Sequence, residues 1–598
     1  MSRRRFDGFL TVPLIGPLLL LLAGNANFMF DAPGWIDAFG MLGHFWHYTD
    51  HNPSFEEYKG SRLPWILPGF VLHHLFDVVT AQYILQTAVL LTSSLAVYLV
   101  LRDTLHDRPV AAVTAAAWSS YTWAHGSGGW NYHVAAAGAY YSLGLWMLAR
   151  STASDRRRLW LLGSGALFVS AIHTHILFAG FIPIAALLYV PVLIDSGRAH
   201  WREGAQVAGY VTAGAVATTL FLGAIDVATG GTWLFFLPQI EYTLEFANQG
   251  NRWLFAAGEW VPTATYLVIP VVALVAALPW LANMWRTGGF RTLEARFACA
   301  LVVQGVLAFA LMVYLQFGGG QTALDHAHFA FPLYCHAFPM IGALLWSAGR
   351  GASRAGLLFA MVMAFAIAAP LLLLLPSRLP QHMPAFTSAL RLPDAPIVLA
   401  PLVLAVAALP LGLIRGRARL AAFSIVYGLL NAWMAQAPVA YGIGTPGINR
   451  DMLVVFRSLE QFSADLDPSL FAIRYWGEPG IVPGPDGPTN MAAVFRSFLA
   501  IRRRSLITVA YDRPDTRVQD LTQDDLYSAS CLGVLSTPAV HRDAVDRLTR
   551  RFSDVGVALR VVGHHRADSG RFAIDLTVLT TRPANDSRPG LPPCPAAR

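Results

Sequence analysis

The sequence contains few charged residues and almost no lysine. Only 13% of its 598 residues are Asp, Glu, Lys or Arg, whereas 55% are hydrophobic; soluble domains carry about a quarter of charged residues. Lys59 is the single lysine, so arginine supplies nearly all of the positive charge. This composition excludes an ordinary soluble protein and predicts a polytopic membrane protein.

Cysteine is also scarce. The four cysteines form no CxxC pair and show no metal-ligand spacing, so the sequence indicates neither a structural zinc site nor a dithiol redox site. The net charge is +7, but the arginines lie in short clusters between apolar runs and form no continuous basic stripe. Nucleic acid is therefore not a predicted partner.

Long apolar runs dominate the rest of the chain. A run of about 20 apolar residues is long enough to cross the hydrocarbon core of a bilayer, and on this criterion we predict about thirteen spans. They lie at 8–28, 78–101, 109–124, 133–150, 159–175, 176–194, 206–224, 262–284, 296–316, 327–347, 353–376, 395–414 and 418–438. Between the first two spans, residues 63–76 are expected to form a short interfacial helix.

The arginines support this count because they are concentrated in alternate loops, as the positive-inside rule requires. With Arg3, Arg4 and Arg5 holding the N-terminus in the cytoplasm, the loops assigned inside are rich in arginine and those assigned outside contain few. The alternation requires the stretch 159–194 to form two short spans that turn at His173, Thr174 and His175. If this stretch were one long span, everything downstream would be inverted.

The C-terminal region differs sharply in composition. Its strand-like segments at 505–511, 531–537, 557–563 and 572–580 and an amphipathic helix at 541–556 predict a small α/β domain. We therefore expect a mainly α polytopic bundle at 1–438 and a soluble, extracytoplasmic α/β domain at 439–598.

Polar chemistry is concentrated in the outer loop from Asp31 to Arg62. Asp31 and Asp37 are carboxylates that could take a proton from an acceptor hydroxyl, and Lys59 and Arg62 could bind a phosphate. Because the loop is assigned to the outer face, we expect its charges to lie at an aqueous interface without burial; Lys59 and Arg62 could equally snorkel at the membrane edge.

A later outer segment, QTALDHAHFAFPLY, adds Asp325, His326 and His328 at the mouth of a helix. These side chains could bind a leaving phosphate or orient an acceptor. In both places the functional interpretation competes with simple solvation of polar side chains at the membrane surface.

A family resemblance is carried by the region around the opening loop. A first span is followed at once by a long outer loop with an early Asp, and YKGSRLPWILPGFVLHHLF then leads into the bundle, with Arg62 and Pro68 in an R-x-P-x-x-x-P step. This region resembles the GT-C superfamily of polyprenyl-phosphate-sugar glycosyltransferases, in particular its protein mannosyltransferase-like and aminoarabinose transferase-like members. The resemblance implies a catalytic Asp in the first outer loop, either Asp37 or Asp31.

The sequence departs from the family in two respects. Asp37 is followed by Ala38, so the Asp-Glu pair of mannosyltransferase-like members is absent. The C-terminal region lacks the WWD motif of oligosaccharyltransferases, which argues against protein N-glycosylation.

Several other residues have two open interpretations. Aromatic side chains could stack on a sugar or anchor the protein at the interface, and neighbouring polar residues would line the same subsite. The substrate-lining set is Trp46, Trp130, Tyr132, His133 and Asp325, and His326 joins Lys59 and Arg62 as a donor phosphate ligand. His44, His47 and His51 have helical spacing that could hold a divalent metal, but an interfacial polar face explains the same spacing and no compact ligand motif is present. No cofactor is therefore assigned.

The resemblance implies transfer of a sugar from a polyprenyl-phosphate donor to an extracytoplasmic glycan, lipid or protein acceptor, by an inverting displacement in a bacterial inner membrane. Membrane lipids are the other expected partner. The alternatives are a transporter or flippase of lipid-linked sugars and a non-catalytic membrane scaffold. Transporters typically show internal repeats and broken, charged helices near the midplane, and neither feature is evident in the sequence.

Overall fold

The computed structural model describes residues 9, 35–50, 57–119, 121, 124, 133–195, 200–249, 257, 265–326, 328–349, 446–463, 471–476, 531–554, 556–570 and 573–580. The predicted spans at 8–28, 353–376, 395–414 and 418–438 and the predicted strand at 505–511 lie outside these ranges.

The described part of the chain is mainly helical. The first helices are α1 Trp35–His47, α2 Glu57–Gly60, α3 Leu63–Leu75, α4 Val78–Leu105, α5 Arg108–Ser119, α6 His133–Ser151 and α7 Arg157–Thr174. They are followed by α8 Ile182–Ala186, α9 Val190–Asp195, α10 His200–Ala228, α11 Leu237–Gln249, α12 Val268–Thr287, α13 Leu293–Val313 and α14 Phe331–Gly349. The C-terminal elements are α15 Pro446–Ser463, β1 Phe471–Trp476, β2 Cys531–Ser536, α16 Pro538–Asp554, β3 Arg560–Asp568 and β4 Ala573–Thr580.

The chain divides into two compact units. The first contains Met1–Phe28, Arg62–Trp65 and Gln86–Val439, and the second contains Met29–Ser61, Ile66–Leu85 and Ala440–Arg598. The described part of the opening loop therefore belongs to the same unit as the C-terminal sheet.

Helices occupy each of the nine predicted spans that fall within the described ranges. Five of the described helical segments are long and apolar enough to cross a membrane: Val78–Leu105, Ile176–Ile194, Trp201–Ala228, Ile269–Thr287 and Leu293–Gly318. Helix α6 is less apolar because its first turns consist largely of alanine, and those turns are buried against other helices of the first unit. The prediction of an integral membrane protein with a helical bundle is confirmed.

Helices α6 and α7 form an antiparallel pair packed through small residues. The Ser164 hydroxyl donates a hydrogen bond of 2.9 Å to the Gly144 carbonyl, and Trp146 and Trp160 meet edge to face at the end of the pair. Glycine lets two helices approach closely because it has no side chain. At Gly144 this space is filled by the Phe168 ring.

Helix α7 ends where the sequence predicts a turn. Its last residue is Thr174, and His175 has an extended backbone with φ −152° and ψ 114°. The chain then continues through a 3-10 turn, Ile176–Phe181, into α8 and α9. The predicted break at His173, Thr174 and His175 is confirmed.

Helices α7 and α10 run parallel to each other. At one end Arg157 pairs with Glu203 at 2.9 Å, and at the other His173 hydrogen-bonds Thr219 at 2.9 Å. These two contacts are separated by about 24 Å at a rise of about 1.5 Å per residue. Helices α7 and α10 can be parallel only if the chain between them returns to the starting end. Residues 176–195 therefore cross back along the pair, as the two-span prediction requires.

Two glycines set the distance between α7 and α10. A Cβ added at Gly165 would collide with the Val211 carbonyl oxygen, and one added at Gly214 would collide with the Leu162 carbonyl oxygen. The backbones of the two helices are therefore in direct contact, the arrangement that small residues permit in membranes.

The ends assigned to the outer face lie together in the first unit. Tyr121, after α5, donates a hydrogen bond of 2.7 Å to the Tyr266 carbonyl, and the Tyr266 hydroxyl donates one of 2.6 Å to the Leu324 carbonyl. Arg62, before α3, meets His133 at the start of α6 at 3.0 Å. These contacts agree with the predicted alternation.

The ends assigned to the inner face also lie together. Asp103, near the end of α4, accepts a hydrogen bond of 3.1 Å from the Trp146 indole and lies 3.7 Å from Arg150. His106 lies 3.7 Å from Glu294, at the start of α13. The arginine-rich loops of the sequence therefore meet at one end of the described bundle.

In the second unit, the described residues of the opening loop are helical and most of their side chains are buried. Helix α1 packs against α2, and the His44 imidazole lies against Gly60, where an added Cβ would come within 2.8 Å of it. Lys59 is only 1% exposed, and Arg62, in the first unit, is 8% exposed. The expectation that the loop's charges lie at an aqueous interface is wrong for these two residues, which are buried.

A tail helix also contacts the opening loop within this unit. The Arg457 guanidinium of α15 lies 4.8 Å from the centroid of the Trp46 ring, and the Trp46 indole donates a hydrogen bond of 3.1 Å to His73. Burial, with the positive charge of Arg457, lowers the pKa of His73 to about 3, so its ring is a neutral acceptor. Residues 46 and 457 must lie on the same side of the membrane.

The C-terminal strands form a mixed sheet with the order β1-β2-β4-β3. Strand β1 is parallel to β2, and β4 is antiparallel to both β2 and β3. Helix α16 covers the sheet through Leu548 and Phe552, which pack on Val534 and Leu579. The predicted helix and the strands at 531–537 and 572–580 are confirmed within a few residues.

Strand β3 begins later than the sequence predicts because the residues before it cap α16. Gly556 has φ +80°, its N–H bonds the Ser553 carbonyl, and the Val557 N–H bonds the Phe552 carbonyl. This is the glycine-ended Schellman motif. Val557 and Leu559 then pack on the core, so the strand starts at Arg560.

Replacing the contact glycines should separate α7 and α10. We expect Gly165→Ala to lower the free energy of unfolding by about 2 kcal/mol or more, because the added methyl group overpacks a backbone contact. Thermal unfolding of the purified protein in detergent measures the change. Gly209→Ala on α10 is the matched control, since nothing lies within 4 Å of its added Cβ, and it should be neutral or stabilising by up to about 1 kcal/mol. Equal losses in the two variants would contradict the packing.

Candidate functional site

The candidate site is a buried polar cluster at the predicted outer ends of the first unit. Arg62, His133 and His175 form one half, and Asp325, His326 and His328 form the other. Phe329 lies between the two halves. Burying a charge or an imidazole among apolar helices costs free energy unless the group has hydrogen-bond partners, so such residues are often functional.

Arg62 is positioned by the start of α6. Its guanidinium donates a hydrogen bond of 3.0 Å to Nδ1 of His133. The Tyr140 hydroxyl donates one of 2.7 Å to the Pro64 carbonyl and ties the same segment to α6. Pro64 and the tyrosine thus fix the backbone that presents Arg62.

His133 and His175 form a stacked pair. Their ring centroids are 5.0 Å apart and their planes differ by 13°. His175 has this position because α7 ends immediately before it and its Nδ1 accepts a hydrogen bond of 3.2 Å from the Leu177 N–H. The break that the topology requires therefore also places an imidazole beside His133.

The second half of the cluster belongs to the segment between α13 and α14. Asp325 and His326 are 3.1 Å apart, and the rings of His326 and His328 are 5.3 Å apart. Phe329 packs against His328 at 4.2 Å and meets His175 edge to face at 6.1 Å. The two halves are therefore joined through Phe329.

Gln316 holds this segment in place. Its Oε1 accepts hydrogen bonds from the backbone N–H groups of Ala323 at 2.8 Å, Leu324 at 2.7 Å and Asp325 at 3.3 Å. Gln316 lies in a π-helical turn, Tyr314–Gly318, that ends the span. Such turns are often found at functional sites.

The structure brings together four residues of the predicted site, namely Arg62, His133, Asp325 and His326. Trp130, Tyr132, Asp31 and His51 lie outside the described residues, as does the side chain of Asp37, whose backbone is in α1. Lys59, Trp46, His44 and His47 belong to the second unit. Trp46 is 5% exposed, so a sugar stacked on its ring would have to displace Arg457.

The sequence predicts no role for Gln316, Tyr266 or Phe329, and it predicts His175 as a turn residue. A structural role for Gln316 could have been predicted, because a polar amide in an apolar span needs a hydrogen-bond partner in a bilayer. His175 is likewise a polar side chain in an apolar segment, and it lies at the predicted helix break.

Within the described residues, no group of three or more His, Cys, Asp or Glu side chains could hold a metal ion. The cluster instead combines one permanent cation, several imidazoles and one carboxylate. Arginine and imidazole N–H groups are donors that suit a phosphate.

Removing the acceptor at residue 316 should release the segment that carries Asp325 and His326. We expect Gln316→Met to lower the free energy of unfolding by about 2–3 kcal/mol, because buried N–H groups lose their acceptor. Thermal unfolding in detergent measures this loss. Gln321→Met is the control, since the Gln321 side chain is exposed and bonds only the nearby Gly319 carbonyl; a similar loss there would contradict the assignment.

No family model matches the sequence, and no curated protein matches it. Two solved structures do: ArnT from Cupriavidus metallidurans bound to undecaprenyl phosphate, with 13% identity, a TM-score of 0.49 and coverage of 96% of this chain and 98% of that one, and the same protein in the apo state, with 13% identity, a TM-score of 0.45 and coverage of 95% and 98%. At this identity and TM-score, the similarity concerns only the path of the backbone and supports no conclusion about chemistry.

Proposed function

We propose that the protein is an integral membrane glycosyltransferase that moves a sugar from a polyprenyl-phosphate carrier to an acceptor outside the cytoplasm. The observation that carries the proposal is the buried cluster built around Arg62, His133 and His175. It combines a permanent positive charge with imidazole donors at the ends of apolar helices. A phosphate attached to a membrane-embedded chain is a ligand of matching charge and location.

The imidazoles of the first half are set up as donors. A guanidinium has only N–H donors, so Nδ1 of His133 must accept the bond from Arg62 and its proton lies on Nε2. Nδ1 of His175 accepts the Leu177 N–H, so a neutral His175 also carries its proton on Nε2. Arg62, His133 and His175 together supply donors for phosphate oxygens.

In the proposed reaction, a carboxylate takes the proton of an acceptor hydroxyl, and the acceptor oxygen attacks the anomeric carbon. The bond from that carbon to the phosphate oxygen breaks, and polyprenyl phosphate leaves with the electron pair. A single displacement inverts the configuration at the anomeric carbon. Donors aimed at the leaving oxygen stabilise its developing charge in the transition state.

The base in this proposal is Asp37 or Asp31, and Lys59 joins Arg62 and His326 as a partner of the donor phosphate. Asp325 and His133 are proposed to line the substrate, with Trp46, Trp130 and Tyr132. Support for these roles comes from the loop position and the family resemblance. In the same proposal, the loop lies on the outer face of the membrane and the C-terminal domain lies in the periplasm.

Loss of the base should abolish transfer while donor binding is retained. We expect Asp37→Asn or Asp31→Asn to lower the transfer rate by about 10²- to 10⁴-fold, the usual contribution of a general base. The assay follows label from a radiolabelled polyprenyl-phosphate sugar into an envelope extract. Glu56→Gln, in the same loop, is the control and should change the rate by less than about three-fold. Transfer that survives both Asp substitutions together would refute the base, and net transport of the donor without transfer would favour a flippase.

Loss of the cation should weaken binding of the carrier phosphate. We expect Arg62→Gln to raise the dissociation constant for polyprenyl phosphate about 10- to 100-fold, because a charge-assisted hydrogen bond contributes about 1.5–3 kcal/mol. Quenching of tryptophan fluorescence by added lipid measures the affinity. Arg291→Gln, an exposed arginine at the opposite end of the unit, is the matched control. Unchanged affinity in Arg62→Gln would contradict the phosphate role.

A further inference from the structure

A second positively charged surface lies at the other end of the first unit, where α7 and α10 begin. Arg156, Arg158 and Arg202 are exposed there, and the Trp201 ring is 71% exposed. We call these four residues the arginine–tryptophan patch. They are held together because Arg157 pairs with Glu203 at 2.9 Å and thereby joins the first turns of the two helices.

The guanidinium groups of the patch are oriented by aromatic rings. Arg158 of α7 lies 5.7 Å from the centroid of Tyr210 on α10, and Arg202 lies 5.3 Å from the centroid of Trp201. A cation over an aromatic face keeps its charge and most of its N–H donors available to a further ligand. The patch therefore presents donors from both helices on one surface.

An exposed apolar stripe runs from the patch along α10. Trp201 begins it, and Val216 and Leu220 continue it on the same face of the helix, each more than half exposed. The opposite face of α10 packs on α7 through Gly214. Leu159 of α7, next to Arg158, is 63% exposed. In a membrane protein such a stripe contacts acyl chains.

Local acidic residues leave the patch positive. Asp155 is exposed beside Arg156, and Glu203 is engaged by Arg157. Four positive charges, on Arg156, Arg157, Arg158 and Arg202, thus face two negative charges, and the net charge of this region is +2. The remaining positive charge is carried by Arg158 and Arg202, the two arginines next to exposed apolar side chains.

We propose that the arginine–tryptophan patch binds the headgroup of an anionic phospholipid, whose acyl chains lie along the exposed stripe of α10. Arginine suits a phosphodiester because its fork of N–H groups matches phosphate oxygens. A soluble anion would use the charges alone, whereas a lipid uses the charges and the adjoining apolar stripe. This site is separate from the cluster around Arg62 and does not depend on the proposed transferase activity.

Native mass spectrometry of the full-length protein tests the proposal. The protein is released from detergent with equal amounts of phosphatidylglycerol and phosphatidylcholine, and bound lipids are counted. We expect a preference for phosphatidylglycerol that falls about 30-fold in Arg158→Gln/Arg202→Gln, since each arginine near a lipid surface contributes about five-fold in affinity. The double variant Arg108→Gln/Arg291→Gln removes the same charge from exposed arginines at the same end of the unit and should keep the preference within about two-fold.

Three results would overturn the proposal: no preference in the unmodified protein, an equal loss in both double variants, or displacement of the lipid by inorganic phosphate. Thermal unfolding of each variant shows whether it is folded. If Arg158→Gln/Arg202→Gln does not fold, Arg158→Lys/Arg202→Lys keeps the charge and must retain a preference for phosphatidylglycerol; its complete loss in this folded variant would also overturn the proposal.

Discussion

The backbone contact of α7 with α10 at Gly165 and Gly214 is the constraint on which the first unit depends. Helices α7 and α10 can lie parallel only if the residues between them return across the membrane. Residues 176–195 make that return and contain two 3-10 turns, Ile176–Phe181 and Leu187–Tyr189. The break after Thr174 places His175 at the end of the bundle predicted to face outward, beside His133. The same packing that sets the topology thus also assembles half of the candidate site.

The cluster around Arg62 is chemically unusual for its surroundings. A guanidinium, several imidazoles and a carboxylate are enclosed among apolar helices, where polar groups are stable only with partners or a bound ligand. Their partners are supplied by elements far apart in the chain: α6, the end of α7 and the segment that Gln316 holds. A site assembled from so many elements is rigid, and fixed donors are what stabilise a developing phosphate charge without reorganisation.

Much of this architecture follows from the sequence because apolar length and arginine alternation are strong physical signals. They locate the spans and the turn at His175, and the Asp325-His326 pair follows from polar residues at a span end. Burial of Lys59 and Trp46 does not follow, because their enclosure depends on contacts of α2 and α15 with distant segments of the second unit. The sequence analysis names no element at α11, α15 or β1. These elements are short or amphipathic, and tertiary contacts determine their conformation.

The scarcity of lysine provides the most direct test of the proposal that the protein binds the phosphate of a polyprenyl-phosphate donor, with Lys59 as one of its partners. Isotopic labelling of lysine marks a single side chain in the whole protein, because Lys59 is the only lysine. Solid-state NMR can then measure the dipolar coupling between the labelled Lys59 ammonium nitrogen and the phosphorus of bound polyprenyl phosphate. The account predicts a coupling that reports direct contact and that disappears when the lipid is removed. Bound lipid with no coupling to Lys59 would contradict it.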